Sequence, residues 1–210
     1  MQIPHFPEAN HPLVKSLFHQ SDQELLTSFQ NSPDSGKYFT AIFCRYSPIV
    51  YTLIRHSARS PVQADYLFAL TWRHIYYELG GLDLNKSSSP DQEALTLQNW
   101  LINITAFCIN EIELPPTEAI HYSLKATSPA LWCYVEQALD QLPPVLRFVV
   151  LMAQTFRWSE TRIAAYLQAE GENITPLEVA NFIQEGYRML EAKLPGDIRA
   201  IYLGEDLVSS

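Results

Sequence analysis

The sequence predicts an all-α fold with two helical domains joined by a short linker, the second being a helix-turn-helix unit of four helices. Apolar residues recur at the three- and four-residue spacing of one helix face along most of the chain. Capping residues and first-turn prolines precede several of these segments. Only 7 of the 210 residues are glycine, and no alternating apolar and polar run typical of a strand lies between turn signals.

The chain opens with residues rich in Pro and His, which are expected to form a loosely ordered lead-in over 1–20. The first domain is predicted over 21–112. Its first helix begins with a capping box of Ser21 and Glu24, in which each side chain accepts a hydrogen bond from the backbone N–H of the other residue.

Two long apolar helices follow in this domain. The first covers about 37–56, and Pro48 should kink or divide it, because proline has no N–H for the helical ladder. The second begins at Ser60 and Pro61, a cap followed by a first-turn proline. Since apolar residues lie nearly all round it, over about 61–80, this helix is either deeply buried or exposes an apolar patch for a partner.

The end of the first domain contains a polar loop over 82–95 and another helix from about 94 to 112. Two adjacent prolines then interrupt the helical pattern. They indicate an interdomain linker at 113–128, which is semi-rigid because it is short and contains proline. The remaining segments are the second domain, 129–195, and a tail, 196–210.

The second domain has the residue pattern of a helix-turn-helix. Pro144 suits the first turn of one helix, and Ser159 can cap the short helix after it. Gly171 lies in the turn that follows. Thr175 and Glu178 form a second capping box, at the start of a long amphipathic helix. We expect its inward face to hold Val179, Phe182, Ile183, Leu190 and Leu194, and its outward face Ala180, Asn181, Gln184, Glu185 and Arg188.

The acidic net charge of the chain bears on whether it can bind DNA. The formal net charge is −9, since residues 1–112 carry seven Lys and Arg against ten Asp and Glu, and residues 113–210 carry seven against thirteen. A DNA-binding surface normally has a basic stripe, so this balance argues against strong DNA binding by the protein alone. No apolar run reaches membrane-spanning length and no signal peptide is visible, so we expect a cytoplasmic protein without a membrane partner.

The sequence contains no pattern of catalytic or metal-binding residues. Cys44, Cys108 and Cys133 are far apart, and we expect them to be buried and reduced. The histidines have no zinc-ligand spacing with these cysteines. Nucleophile motifs and phosphate-binding glycine loops are missing as well. We therefore expect a protein that is not an enzyme and that holds no metal or cofactor.

The second domain contains, in order, the motifs Ala138-Leu139-x-x-Leu142-Pro143-Pro144-x-x-Arg147, Ile163-Ala164-x-x-Leu167 and Glu178-Val179. This pattern resembles the C-terminal domain of bacterial RNA polymerase sigma factors, and most closely the small two-domain, extracytoplasmic-function type. The first domain resembles the same family through Asp22-x-Glu24-Leu25-Leu26, Phe43-x-Arg45-Tyr46-Ser47-Pro48, Ala64-Asp65 through Trp72-Arg73, and Trp100-Leu101-x-x-Ile104. The resemblance covers most of 21–194 in the order of the family.

The resemblance implies two kinds of site. The helix over 61–80 would dock on core RNA polymerase through Asp65, Phe68, Ala69, Trp72 and Arg73. Promoter DNA would be read by the last helix of the second domain and by one residue of the first domain. The implied DNA contacts are Arg157 and Arg162 on phosphates, with Asn181, Gln184, Arg188 and Asn103.

At positions where the family contacts polymerase or DNA, this chain has different residues. Phe68 and Ala69 stand where the family usually has a polar Gln-Glu pair. Ala180, Asn181 and Phe182 stand where it usually has Lys, Ser and Arg. Aromatic side chains suit protein contacts better than DNA contacts. The residues expected in the core therefore match the family better than those expected to read DNA.

Two functions follow from these observations. The one we favour is an alternative sigma factor that binds core polymerase and, weakly on its own, promoter DNA. The other is a sigma-like interaction module that no longer reads promoters and binds polymerase or a sigma antagonist. A basic face formed by Arg157, Arg162, Arg188 and Arg199 would favour the first function, and a neutral or acidic face on the last helix would favour the second.

Overall fold

A computed structural model describes residues 3–84 and 95–204, so the predicted polar loop over 82–95 lies mostly outside the described residues. Within these ranges every regular element is a helix, which confirms the all-α class. Two short 3-10 turns cover Pro7–Asn10 and Thr117–Ala119. The α-helices are α1 (Pro12–Lys15), α2 (Asp22–Asn31), α3 (Lys37–Ser57), α4 (Pro61–Leu79), α5 (Leu97–Glu111), α6 (Pro129–Asp140), α7 (Pro144–Gln154), α8 (Glu160–Ala169), α9 (Pro176–Lys193) and α10 (Gly196–Leu203).

The chain divides into two compact units, and the division differs from the predicted domain boundaries. Unit 1 comprises the described parts of Met1–Cys133 and Gly196–Ser210, and unit 2 is Tyr134–Pro195. The boundary falls inside α6 because the preceding segment is packed in unit 1, where the ring of Tyr122 stacks on that of Trp132 at a centroid distance of 5.1 Å. Unit 2 is thus inserted between two segments of unit 1.

Residues 3–20 pack into unit 1, although a loosely ordered lead-in was expected there. The ring of Phe6 contacts the rings of Phe43 and Phe68, at centroid distances of 4.7 and 5.9 Å. Val14 in α1 is fully buried, and Leu17 is nearly so. Phe6, Val14 and Leu17 therefore belong to the core, and their burial stabilises the segment despite its Pro and His content.

Helices α3 and α4 form the centre of unit 1. Proline at position 48 does not divide α3, which continues as one helix to Ser57. Helix α4 was expected either to be deeply buried or to expose an apolar patch. It is buried, since Phe68, Trp72 and Ile75 are inaccessible to solvent. The ring of Phe43 packs edge-on against that of Trp72 at a centroid distance of 4.9 Å, a geometry that aromatic quadrupoles favour.

Unit 2 has its own core between α7, α8 and α9. The buried members of this core are Val149, Ile163, Ala164, Leu167, Ile174 and Val179. Phe182 and Ile183 are partly buried against it, as predicted for the inward face of α9. Helix α9 lies very close to α7 at Gly186, where a Cβ atom would come within 2.5 Å of Val150 Cγ2.

The predicted caps at the starts of α2, α8 and α9 are confirmed. Capping boxes are present at Ser21 with Glu24 and at Thr175 with Glu178. The hydroxyl of Ser159 accepts a hydrogen bond from the backbone N–H of Arg162 and so caps α8. These caps satisfy N–H groups that have no partner within the helix.

Candidate functional site

The outward face of α9 carries the residues expected to read DNA. Asn181, Gln184 and Arg188 are all exposed, and their spacing of three and four residues places them on one face of the helix. Asn181 and Gln184 offer amide groups, which can donate to and accept from a base edge. The structure therefore places these three predicted residues together.

The guanidinium of Arg188 is already paired on that face. Its Nε and Nη2 atoms donate to the two carboxylate oxygens of Glu185, at 2.8 and 2.6 Å. This hydrogen bond holds the pKa of Glu185 below its ordinary value. The pair is solvent-exposed and stabilises the fold little, but it leaves the face without a free positive charge.

The N-terminus of α9 is occupied by a carboxylate of its own. Glu178 accepts hydrogen bonds from the backbone N–H and the hydroxyl of Thr175, both at 2.7 Å. The backbone hydrogen bond, followed by that from the hydroxyl, lowers the pKa of Glu178. A phosphate approaching this helix start would meet a carboxylate, although helix N-termini otherwise attract anions.

Of the two arginines expected to contact phosphates, Arg162 lies in α8 and Arg157 lies just before it. The guanidinium of Arg162 lies over the ring of Trp158, 4.2 Å from its centroid, in a cation–π contact. The ring of Tyr166 packs against Trp158 and stacks on Phe148. Arg157 is exposed and has a φ of 51°, a left-handed conformation that costs a non-glycine residue about 1 kcal/mol. Both arginines remain accessible, and one of them is fixed by an aromatic partner.

One predicted DNA contact lies outside unit 2. Asn103 is the one remaining predicted contact and is exposed on α5, in unit 1; Arg199, which was named only as a possible member of a basic face, lies in α10 and also belongs to unit 1. The basic residues that were expected to mark a DNA-binding face are therefore divided between the two units. The five outward residues predicted on α9 carry no net charge, because the one arginine among them is paired with Glu185.

The side chains expected to contact polymerase are mostly buried. Phe68, Ala69 and Trp72 are fully buried in the core of unit 1. Asp65 is half-buried and accepts a hydrogen bond of 2.9 Å from the hydroxyl of Tyr51, while burial raises its pKa. Arg73 is exposed. The expectation that all five residues contact polymerase is therefore corrected. Phe68, Ala69 and Trp72 hold α4 in the core, and of the five only Asp65 and Arg73 can touch a partner directly.

Several exposed apolar side chains were not predicted as site residues. Phe107 on α5 is 53% exposed and stacks on His74 of α4 at a centroid distance of 5.7 Å. In unit 2, Phe156 and Leu177 are 59% and 74% exposed. Leu177 lies in the first turn of α9, where it does not belong to the apolar stripe.

The described residues contain no group of three or more His, Cys, Asp or Glu that could hold a metal ion. Burial raises the pKa of the Cys44 and Cys108 thiols, so both are protonated at neutral pH. Among residues 3–84 and 95–204, no helix is both long enough and apolar enough to cross a membrane.

Compared with known proteins, the chain matches no family model, and no curated protein is significantly similar to it.

Proposed function

We propose that this protein is an alternative sigma factor, which binds core RNA polymerase in the cytoplasm and recruits it to a set of promoters. The observation that carries the proposal is the arrangement of α7, α8 and α9. A short helix, a turn at Gly171 and a long capped helix share one core, and the outward face of the long helix presents Asn181 and Gln184. In a helix-turn-helix, the second helix enters the major groove in this way.

DNA reading in this proposal is weak without polymerase. Asn and Gln side chains can form paired hydrogen bonds with adenine, which supplies sequence preference. Affinity depends mainly on cations at phosphates, and of the predicted contacts Arg157 and Arg162 are accessible while Arg188 is paired. Core polymerase would therefore supply most of the DNA affinity.

The polymerase contact would use the exposed part of α4. Asp65 and Arg73 would touch the partner, while Phe68, Ala69 and Trp72 would position the helix from inside the core. Asn103 on α5 is the proposed contact of unit 1 with DNA.

A second candidate function is a sigma-like module that binds polymerase or a sigma antagonist and does not read promoters. The neutral outward face of α9 favours it, since the Glu185 carboxylate neutralises Arg188. Exposed Phe156 and Leu177 also suit a protein partner better than DNA.

Two experiments in sequence distinguish these functions. Purified core polymerase is first incubated with the protein to measure binding, and the complex then transcribes a library of genomic fragments. The double variant Asn181→Ala, Gln184→Ala should keep polymerase binding and lose promoter-specific initiation, whereas the control Asn173→Ala, in the exposed turn before α9, should keep both. Polymerase binding without specific initiation by the unaltered protein would favour the second function, and no binding would exclude the sigma-factor proposal.

A further inference from the structure

Helix α3 begins without a capping side chain of its own. Its N-cap residue is Gly36, which has no side chain to accept a hydrogen bond from the first turn. The carboxylate of Asp197 takes this role from the far end of the sequence. It accepts hydrogen bonds from the backbone N–H groups of Gly36 and Lys37, both at 3.0 Å, and from the hydroxyl of Ser35 at 2.7 Å. A carboxylate at this place also complements the helix dipole.

The other end of α10 is anchored at a second point. The hydroxyl of Tyr202 donates to the carboxylate of Glu8 at 3.1 Å. The hydroxyl of Ser128 donates a short hydrogen bond to the same carboxylate oxygen. Glu8 is only 4% exposed, so this carboxylate depends on its partners for hydrogen bonds lost from water.

The second anchor joins the two segments of unit 1 that flank unit 2 in the sequence. Ser128 directly precedes α6, through which the chain enters unit 2, and Tyr202 lies in α10, to which the chain returns. Glu8 of the lead-in therefore joins the entry and the exit of the inserted unit by hydrogen bonds to one carboxylate.

Helix α10 itself depends on these anchors. It has 8 residues, and an isolated helix of that length is not stable in water. Ile198 and Ala200 are buried in it and the Tyr202 hydroxyl is buried as well, whereas Leu203 is 49% exposed. A segment with few buried apolar contacts belongs to the part of a structure that opens locally.

From these contacts we propose that α10 is a latch that opens and closes while the rest of unit 1 stays folded. When the latch is closed, Asp197 caps α3 and Tyr202 hydrogen-bonds to Glu8. When it is open, 196–203 unfolds, and the first turn of α3 and the Glu8 carboxylate lose these partners. This two-state element goes beyond the proposed function, and a partner that binds one state better would shift its equilibrium.

Hydrogen exchange of the full-length protein, followed by mass spectrometry, tests the latch without polymerase or DNA. Asp197→Ala should speed exchange in 196–203 by roughly threefold to thirtyfold, the range expected when a helix cap is lost. Tyr202→Phe keeps the ring and removes only the hydroxyl, so it should give a smaller increase in the same segment. Exchange in the centre of α3 and in α4 should stay unchanged.

The control is Glu24→Ala, which removes a carboxylate from another helix start of unit 1, where it hydrogen-bonds to Ser21. It should speed exchange at the start of α2 and leave 196–203 unchanged. Trypsin provides a second readout, since it should cut after Arg199 faster in Asp197→Ala than in the control. An equal rise of exchange throughout unit 1 would show that α10 is an inseparable part of the core and would overturn the latch. Unchanged exchange in 196–203 in both latch variants would also overturn it.

Discussion

Single residues decide how closely the helices of unit 2 pack. Gly186 allows α9 to approach α7 so closely that a methyl group would come within 2.5 Å of Val150 Cγ2, near the Leu146 carbonyl oxygen. Val150 is nearly fully buried, and its branched side chain has little rotational freedom. A glycine inside a helix usually destabilises that helix. The close packing of α9 against α7 explains why position 186 is nevertheless a glycine.

We therefore expect Gly186→Ala to lower the free energy of unfolding by about 1–3 kcal/mol, as overpacking does in a filled core. Urea unfolding followed by circular dichroism measures the change. Gly81→Ala is the matched control, because a Cβ there meets nothing within 4 Å, and its effect should be near zero. If Gly186→Ala stabilised the protein, the close approach of α9 to α7 would be refuted.

The carboxylate of Glu178 makes the start of α9 sensitive to acid. Its pKa in the folded protein lies below the ordinary value of 4.5, because Thr175 hydrogen-bonds to the ionised form. Its contribution to stability is therefore fully present above the ordinary pKa and is lost as the pH falls through the lowered pKa. An NMR titration should give a pKa for Glu178 below that ordinary value, with faster exchange of the first-turn amides at lower pH. Glu178→Gln should abolish this pH dependence, and a pKa at or above the ordinary value would contradict the capping box.

At the scale of an element, α9 combines a predicted core face with a neutral outward face. The inward stripe is visible in the sequence because it repeats at helical spacing. The pairing of Arg188 with Glu185 is a three-residue relation that the sequence permits but does not require, since each side chain has many rotamers. The charge that α9 presents to a partner therefore depends on side-chain geometry.

This pairing leads to a gain-of-function prediction for DNA binding. Glu185→Gln removes a negative charge and releases Arg188, so affinity for duplex DNA should rise roughly twofold to tenfold, and the slope of log K against log salt should steepen by about 0.9. Fluorescence anisotropy over a range of salt concentrations measures both quantities. Glu172→Gln, in the exposed turn before α9, controls for the change in net charge. Equal effects of the two variants would mean that the outward face of α9 does not contact DNA.

At the scale of the whole molecule, unit 1 is built from segments that are far apart in the sequence. Phe6 from the start of the chain and α10 from its C-terminal part both pack in it. Local patterns indicate helices and caps well, because those depend on residues within one or two turns. They do not indicate which distant segment fills a gap, and so the sequence predicted neither the packing of Phe6 in the core nor that of α10.

The role of the lead-in leads to a prediction about stability. Phe6→Ala should lower the free energy of unfolding by about 3–5 kcal/mol, because it leaves a cavity beside Phe43 and Phe68. Phe18→Ala removes a ring of the same size that is 41% exposed, and it should cost less than 1 kcal/mol. Thermal and urea unfolding of both variants make the comparison. Similar small effects for the two would show that the lead-in is not part of the core.

The candidate site was only partly predictable, because local sequence patterns do not indicate which distant segments pack together. The sequence placed Asn181, Gln184 and Arg188 on one outward face, because helical spacing alone determines that relation. It did not reveal that Phe68, Ala69 and Trp72 are buried, since an apolar helix face looks the same whether a core or a partner covers it. The burial of these residues depends on α3 and on Phe6, which are close only in the folded chain.

The sequence by itself determined the helical class, the two capping boxes and the inward stripe of α9, because each depends on interactions within a few residues. Only the tertiary structure decided that unit 2 is inserted in unit 1, that Asp197 caps α3, and that Glu8 joins Ser128 to Tyr202. Those contacts join residues separated by more than a hundred positions. Their pairing is selected by the packing of the whole chain, which no local pattern encodes.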